Sequence, residues 1–228
     1  MRADLHIHTN FSYDGLSSPK EMVRAAIEKN INCICIADHG EIKGAIEAMK
    51  FGFDKNILVI PGIEVLTNSG DILGINVRKI IPSGLSVKQT IKEIRRQGGI
   101  AIIPHPFDWP MMGFWGGEKK LCRVDADAIE VFNASVVFNF ANKKALNFCQ
   151  KNNLCFTAGS DAHRAEFVGR GYIEIPKNVL SEKDILMEIK NKRVEIKGTH
   201  LNLWEVLKNS SKSNVKNMIS YYQLRRKK

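Results

Sequence analysis

Histidines recur in this sequence where short apolar segments end. Five of the six histidines occupy the end of a segment with the pattern of a β-strand, or the residues directly after it. His6 and His8 stand two residues apart, so on an extended strand their rings leave the same face and can chelate one metal ion. Two acidic residues lie in equivalent positions: Glu64 near the end of one such segment and Asp161 just after another. The resulting candidate ligands are His6, His8, His39, Glu64, His105, Asp161 and His163.

These residue types suit the binding of divalent cations. A single histidine in such a place is more often a hydrogen-bonded structural residue, but five at or just after the carboxyl ends of predicted strands are not explained in that way. Neutral imidazoles mixed with carboxylates suit zinc, manganese and iron, and a carboxylate such as Glu64 can bridge two ions. Closely spaced cations acidify water and neutralise the leaving oxygen of a phosphoester. The ligand types therefore predict metal-dependent hydrolysis.

The elements that carry these residues alternate in type. Short apolar, β-branched segments alternate with longer segments of helical periodicity, which is typical of βα units and a parallel sheet. About seven such steps favour a closed or nearly closed α/β barrel over an open sheet, although periodicity alone leaves both possible. In either case the carboxyl ends of the strands form the functional edge.

The predicted strands are residues 3–8, 32–37, 58–65, 100–104, 128–132 and 155–159, and residues 71–77 are a hairpin partner or a further barrel strand. Predicted helices start at Ser18-Pro19 and at Ser86, the second stopping at Gly98-Gly99, and three more cover residues 41–51, 137–151 and 182–192.

Composition places the chain among ordinary globular proteins. It has 228 residues, of which 44% are hydrophobic and 25% charged. No segment approaches the roughly 18 uninterrupted apolar residues of a membrane span, and the first residues lack the apolar core of a signal peptide, so we expect a cytoplasmic protein with no membrane contact. The five cysteines show no CxxC spacing and are expected to be reduced thiols.

The positive charge is concentrated near the end of the chain. Residues 177–228 carry 13 basic and 5 acidic side chains, a net +8 of the total +10. Such a tail attracts nucleic acid phosphates by counterion release, although basic runs are more often solvated surface. Contact with nucleic acid through the C-terminal tail is therefore one expectation.

Four ordered motifs resemble those of the PHP (polymerase and histidinol phosphatase) superfamily over roughly residues 1–200. The motifs are His6-x-His8, Ala37-Asp38-His39, His105-Pro106 and Asp161-Ala162-His163. The resemblance implies a distorted (βα)7 TIM-like barrel with a trinuclear metal site. It assigns residues 1–200 to a PHP metal-dependent phosphoesterase domain and leaves residues 201–228 as a basic, helical C-terminal extension.

Matched position by position, the resemblance implies three metal sites. The first metal takes His6, His8, Asp161 and the bridging Glu64, the second takes Glu64, His105 and Asp71, and the third takes Asp14, His39 and His163. At Asp71 many members have histidine, so this chain departs from the family pattern there. Aspartate is still a competent oxygen ligand, and a solvent-facing turn residue is the alternative.

The residues expected to act in catalysis are Glu64, His163, Arg164 and Arg170. Arg164 follows the last motif and Arg170 lies in Val-Gly-Arg-Gly; a guanidinium can pair two phosphate oxygens, but surface solvation explains both nearly as well. Asp4 and Asp38 adjoin ligands and are expected to orient metal-bound imidazoles.

The sequence thus predicts a metal-dependent phosphoesterase that uses two or three divalent cations (Mn, Zn or Fe) and a metal-activated hydroxide. Its substrate is a phosphorylated small molecule, such as a nucleotide or sugar phosphate, or the end of an oligonucleotide, and the sequence does not choose between them. The alternative is a non-catalytic, metal-stabilised module associated with nucleic acid. Residues 107–117, rich in aromatic residues, form either a substrate wall or ordinary packing over the barrel.

Overall fold

The computed structural model describes residues 1–108, 117–176 and 181–209. Most of the aromatic segment 107–117 and the basic residues 210–228 lie outside the described residues. The strands are β1 Arg2–Ile7, β2 Cys33–Ile36, β3 Leu58–Thr67, β4 Gly70–Ile75, β5 Ile100–Ile103, β6 Ala128–Asn133, β7 Phe156–Gly159, β8 Gly171–Glu174 and β9 Glu195–Gly198. The helices are α1 Pro19–Glu28, α2 Lys43–Phe53, α3 Val87–Arg96, α4 Gly117–Leu121, α5 Phe140–Lys151, α6 Glu182–Lys190 and α7 Leu203–Asn209, with one 3-10 turn at Ala165–Phe167.

The strands form one curved sheet in the order β7-β6-β5-β4-β3-β2-β1-β8-β9. Its two halves meet where β1 and β7 end: the Asp161 N–H donates to the His6 carbonyl at 2.8 Å, and the His8 N–H donates to the Ala162 carbonyl at 2.9 Å. These bonds bring the carboxyl end of β7 beside that of β1. The sheet is therefore a nearly closed barrel, which confirms the predicted distorted α/β barrel.

Strand direction departs from a regular sevenfold repeat. The triplets β1-β2-β3 and β5-β6-β7 are parallel, but β4 runs antiparallel to both β3 and β5. The sequence left residues 71–77 as either a hairpin partner or a barrel strand, and β4 is both. Two strands were not predicted: β8 pairs antiparallel with the edge of β1 that faces away from β2, and β9 pairs antiparallel with β8. The strand count therefore differs from the expected repeat.

Two helix starts follow the local signals in the sequence. Ser18 caps α1 and Ser86 caps α3, each in a reciprocal capping box with the residue three positions on, Glu21 and Gln89. The helix expected over residues 137–151 begins later, at Phe140. The reason is that the Asn142 side chain bonds both the N–H and the carbonyl of Asn133, which holds the residues between them in a turn.

A one-residue β-bulge in β1 turns two histidines toward the interior of the barrel. Ala3 pairs with Cys33 and Asp4 with Ile34, but Ile7 pairs with Ile36, so three steps on β1 oppose two on β2. A bulge of this kind reverses which side chains face inward beyond it. Without the extra residue, His6 and His8 would share the outward face of Asp4.

A second bulge lies in β6. Glu130 pairs with Thr157 and Phe132 with Ala158, so β6 again has one extra residue. Glu130 and Asn133 are three positions apart and would point to opposite faces of a regular strand. With the bulge they meet, and the Asn133 Nδ2 donates to Glu130 Oε2 at 3.0 Å.

The interior and the outer layer are both apolar. Small and β-branched side chains from β1 to β8 fill the barrel below the histidines, with Cys33 and Cys35 among them as free thiols. The opposite faces of β1 and β2 pack on α1 and α2 through fully buried residues such as Ile34 and Ile36. Each such side chain contributes roughly 1.5–3 kcal/mol on burial. This layer holds the strand ends in fixed positions.

Among the described residues no helix is both long and apolar enough to span a membrane.

Candidate metal centre

Eight predicted ligands converge at the end of the barrel where β1, β2, β3, β5 and β7 finish. We call this group the histidine–carboxylate cluster; its members are His6, His8, Asp14, His39, Glu64, His105, Asp161 and His163. They fall into three overlapping groups in which all ligand atoms lie within 4.8 Å of one another. The expected convergence is therefore present in the fold.

The buried floor of the cluster consists of His6, His8 and Glu64. Glu64 Oε2 lies 3.3 Å from His6 Nε2 and 3.2 Å from His8 Nε2. The two Nε2 atoms are 3.1 Å apart. Asp161 Oδ1 joins them from the side, 3.2 Å from His8 Nε2. Asp161 Oδ1 also lies 3.7 Å from His6 Nε2, so both histidines contact two carboxylates.

A second group lies nearer to solvent. Asp14 Oδ2 is 3.2 Å from His39 Nε2 and 3.2 Å from His163 Nε2, and His8 belongs to the same group. Ser12 holds the Asp14 carboxylate in place by donating its hydroxyl to Oδ1 at 2.8 Å. The other carboxylate oxygen is left facing the two histidines.

Glu64 faces two sides at once. Its Oε2 atom is directed to His6, His8 and His39, whose Nδ1 lies at 3.4 Å, whereas Oε1 lies 3.5 Å from His105 Nε2. His105 forms the third group with His6 and Asp161. A carboxylate whose two oxygens face different histidines in this way is suited to bridge two cations.

The distances fit a cation-binding site better than a set of ion pairs. Charge-assisted hydrogen bonds between imidazolium and carboxylate are about 2.7–2.9 Å long. Two ligand atoms that each lie about 2.0–2.1 Å from one tetrahedral ion are roughly 3.3 Å apart. The contacts of Glu64 Oε2 and Asp14 Oδ2, at 3.2–3.4 Å, match the second value. The residues present therefore fit divalent cations.

The electrostatics of the cluster favour positive charge. Burial disfavours the protonated form of His39, but Asp14 and Glu64 outweigh it and raise the pKa of His39 to about 10. In the same way, burial opposes and Asp14 favours protonation of His163, whose pKa rises to about 9. Burial raises the pKa of Asp161, yet His6 and His8 more than offset this and hold that pKa well below its usual range. A cation placed here replaces the protons that the histidines otherwise attract.

Two hydrogen bonds select the tautomer of two imidazoles in the cluster. His6 Nδ1 lies 3.0 Å from Glu130 Oε1, and His163 Nδ1 lies 3.0 Å from the Asp161 carbonyl. Because both partners are acceptors, each Nδ1 carries the proton and each Nε2 presents its lone pair to the cluster. The rings are thus oriented as ligands.

Glu130 and Asn133 were missed from the sequence. Glu130 is 2% exposed and accepts three hydrogen bonds, from His6, from the His105 N–H at 2.9 Å and from Asn133. Asn133 also donates to Asp161 Oδ2 at 3.1 Å. A charged residue inside the apolar strand Ala-Ile-Glu-Val-Phe-Asn was the available signal.

Asp4 and Asp38 do not orient imidazoles through the contacts that the structure records. Asp4 accepts main-chain N–H groups of His6, Ser160 and Gly169, and Asp38 accepts the N–H and hydroxyl of Thr9. Their carboxylates fix the loops next to the ligands. The expected role of these two residues in orienting imidazoles was wrong. The bulge in β1 turns Asp4 away from the cluster, and both oxygens of the Asp38 carboxylate accept hydrogen bonds from Thr9.

Three expected site residues lie at the edge of the cluster or beyond it. Asp71 is buried at the start of β4 and raises the pKa of His39, but it belongs to none of the three ligand groups. Arg164 Nε donates to the Lys208 carbonyl at 2.7 Å, and an Arg170 Nη donates to Glu205 at 2.9 Å. Both arginines thus hold α7, and their role as phosphate clamps stays a prediction.

The backbone is strained at two ligands. His105 has φ +27° and Asp161 has φ +52°, in the left-handed region that non-glycine residues rarely adopt. Each such residue costs about 1–3 kcal/mol and persists when surrounding contacts hold it. Here the His105 N–H is held by Glu130 and the Asp161 N–H by the His6 carbonyl. Five other non-glycine residues of the described part of the chain also have positive φ, but these two are the members of the cluster that do, and both are fixed by hydrogen bonds from their main-chain N–H groups.

Comparison with known proteins assigns the family. Residues 4–153 match the PHP domain family, and residues 139–194 match a family described as PHP-associated. The chain belongs to the PHP domain family, as its four motifs indicated.

Individual relatives give further detail. The chain is 30% identical over 233 residues to an uncharacterized protein of Methanocaldococcus jannaschii, covering 94% of this chain and 93% of the relative. A 5'-3' exoribonuclease of Haemophilus influenzae is 32% identical over 117 residues, which is 46% of this chain and 42% of the exoribonuclease. Among solved structures, a two-domain protein of Bacteroides vulgatus that contains a predicted PHP-like metal-dependent phosphoesterase superposes with a TM-score of 0.71 at 21% identity, over 87% of this chain and 65% of that one. At that identity the superposition supports the fold alone.

Proposed function

We propose that this protein is a metal-dependent phosphoesterase that holds two or three divalent cations, Mn, Zn or Fe, in the histidine–carboxylate cluster. The observation that carries the proposal is the convergence of five imidazoles and three carboxylates at cation-ligand spacing on one end of the barrel. Membership of the PHP domain family and the exoribonuclease relative support the same chemistry.

The three ligand groups suggest how the cations are held. One position uses His6, His8, Asp161 and Glu64, and another uses Asp14, His39 and His163. His105 with the second oxygen of Glu64 would hold a third, which Asp71 would join according to the family pattern. Bound divalent cations supply Lewis acidity, lowering the pKa of water and offsetting charge on the leaving oxygen.

The protein itself contributes position and exclusion of water. His6, His8 and Glu64 are at most 2% exposed at their side chains, whereas Asp14, His163 and Asp161 are 14–19% exposed. The substrate therefore approaches from the side of Asp14 and His163. On hydrolysis, water adds to phosphorus, the bond from phosphorus to the leaving oxygen breaks, and that oxygen takes up a proton. Arg164 and Arg170 remain candidates to bind the phosphoryl oxygens if they leave α7.

The substrate is a phosphate ester of a nucleotide, a sugar or an oligonucleotide end. The exoribonuclease relative favours the last class, although the two chains match over less than half of each. A non-catalytic, metal-stabilised module is the second candidate. It is disfavoured because the cluster keeps a complete ligand set at a partly open site, where stability alone offers no reason for so many buried polar groups.

The test is hydrolysis of an aryl phosphate and of its bis-ester by protein reconstituted with manganese, zinc or iron. A His8→Ala, Asp161→Ala double variant removes ligands from all three groups. The control is His200→Ala, which removes a histidine outside the cluster. We expect chelator-sensitive turnover in the unaltered protein and the control, and none in the double variant.

Metal content measured on the same samples separates failure to bind from failure to react. Stoichiometric metal without turnover of either ester, or of an oligonucleotide with a 5'-phosphate, contradicts the phosphoesterase and favours the non-catalytic module. Turnover that survives in the double variant contradicts the assignment of the site.

A further inference from the structure

One face of α5 is basic and aromatic, and the amino end of this helix lies near the histidine–carboxylate cluster. Residues at helical spacing form this face, and we call it the α5 face: Phe140, Lys143, Lys144, Asn147 and Lys151. Together with Glu118 and Phe148 they line a cavity of about 380 Å³. The helix has a rise of about 1.5 Å per residue, so this face is roughly 16 Å long.

Two sets of contacts tie the α5 face to the cluster. Asn142, in the first turn of α5, bonds the main chain of Asn133, whose side chain reaches Asp161. Lys144 Nζ lies 4.5 Å from the ring centre of Phe107, in the loop that directly follows the β5 ligand histidine. The amino end of α5 is therefore anchored at the candidate metal centre, and the helix leads away from it.

Two phenyl rings stand exposed at that end. Phe138 is 51% exposed and Phe140 is 61% exposed, and their rings stack with centroids 5.7 Å apart and planes 20° from parallel. Both rings are half or more exposed and Phe140 lines the cavity, so together they form a contiguous apolar patch rather than a single exposed side chain. Stacked, exposed aromatic rings are the platform on which unpaired bases bind.

The charges of the α5 face lack compensation within the described residues. Lys143 and Lys151 make no ion pair there, and Lys144 has only Glu118, at 3.7 Å. The first turn of α5 has no acidic residue, although the helix dipole favours negative charge at that end. Lys143, at the end of the first turn, is thus unfavourably placed relative to the helix dipole and would be stabilised by a bound anion, whereas Lys151 lies in the last turn, where the dipole favours it.

We infer that the α5 face and Phe138 bind a single-stranded oligonucleotide, with bases stacked on Phe138 and Phe140 and phosphates beside Lys143, Lys144 and Lys151. The combination of exposed aromatic rings and lysines selects the ligand. An acidic peptide would pair with the lysines but has no row of planar bases to stack on the rings. In a duplex the bases are paired with each other and are not available for stacking on the protein. Delivery of the strand's end to the cluster rests on the proposed phosphoesterase function, whereas binding to the face does not.

The test is equilibrium binding without catalysis. Fluorescence anisotropy follows labelled single-stranded RNA and DNA of about 12 nucleotides, a length within the range of single-strand binding sites. Chelator is present throughout, so that a failure of hydrolysis cannot affect the result. A blunt duplex of the same length and polyglutamate are the competing ligands.

Two double variants probe the two features separately. Phe138→Ala, Phe140→Ala should lower affinity at least about fivefold for each base that loses its ring. Lys143→Gln, Lys144→Gln should reduce the slope of log affinity against log salt by about 1.4, or 0.7 for each phosphate that a lysine no longer neutralises. Two variants are controls. The first is Phe53→Ala, which changes an aromatic residue that is 86% exposed at the end of α2. The second combines Lys88→Gln with Lys92→Gln, two exposed lysines on α3.

Weaker binding of the single strand by both α5-face variants, with both controls unchanged, supports the inference. It is overturned if the controls weaken binding equally, if the lysine variant alone has an effect, or if duplex or polyglutamate binds as tightly as the single strand. Thermal melting checks that each variant is folded.

Discussion

The role of Glu130 gives the sharpest test of the site. Its Oε1 accepts the Nδ1 proton of His6, while Oε2 accepts the His105 N–H and the Asn133 amide. Glu130→Gln preserves shape but replaces one acceptor oxygen with an NH2 donor. If that NH2 faces His6, the ring must accept at Nδ1, and its Nε2 then carries a proton into the cluster. If the NH2 faces the other way, the His105 N–H and the Asn133 amide both point at it, and neither of these two donors has an acceptor there.

Either arrangement has a measurable cost. Loss of a carboxylate that orients a metal-binding histidine typically lowers metal affinity 10- to 100-fold, about 1.4–2.7 kcal/mol. One buried donor left without an acceptor also destabilises the metal-free fold by about 1–3 kcal/mol. For a chain of this size each kcal/mol lowers the melting temperature by roughly 2–4 °C.

The assay is competition for zinc or manganese against a chromophoric chelator, with melting of the metal-free protein measured in parallel. Glu188→Gln is the matched control, since this buried carboxylate pairs with Arg193 just beyond α6, away from the cluster. The control should lose stability and keep its metal affinity. Unchanged metal affinity in folded Glu130→Gln would refute the assignment of the His6 tautomer.

Three other changes test further parts of the site. Asp14→Ala removes the oxygen that lies 3.2 Å from two candidate ligand histidines, so elemental analysis should show one fewer bound metal, and unchanged stoichiometry would contradict that grouping. Asn209→Ala deletes a 3%-exposed side chain that hydrogen-bonds the His163 N–H and the Asp161 carbonyl. Urea unfolding should show that the free energy of unfolding falls by about 1–3 kcal/mol. The exposed control Lys208→Ala should lose less than about 0.5 kcal/mol, and an equal loss in both variants would count against the bonds of Asn209. Gly159→Ala would place a methyl group against Cβ of His6, so it should bind metal more weakly or fail to fold. Gly84→Ala has open space around it but a φ of +84°, so it should lose some stability and keep its metal in the same binding assay.

The sequence predicted the parts of this structure that depend on local signals. Ser18 and Ser86 start helices because their hydroxyls accept hydrogen bonds from free N–H groups of the first turn. This capping depends only on residues that are close in sequence. The convergence of the candidate ligands could be predicted because parallel strands deliver their carboxyl ends to one edge. Asp71 follows a different rule, since β4 is antiparallel and brings its beginning to that edge.

Features that depend on pairing across the chain were not predictable in this way. Strands β8 and β9 are four residues each, and β9 is largely exposed, so neither has a long apolar signal. The bulges at His6 and Glu130 are one-residue shifts in register that leave composition and periodicity almost unchanged. The partners of Arg164 and Arg170 lie on α7, 44 and 35 residues away in sequence.

The contacts of α7 also set a practical limit for shortened versions of the protein. The four motifs end at His163 and β9 ends at Gly198, so a fragment that stops near residue 200 contains every candidate ligand. It would nevertheless lack Asn209, leaving the His163 N–H without its acceptor and the Asp161 carbonyl without one of its donors. A fragment of residues 1–209 keeps both bonds, and it is the shorter form suited to crystallisation and to metal titration.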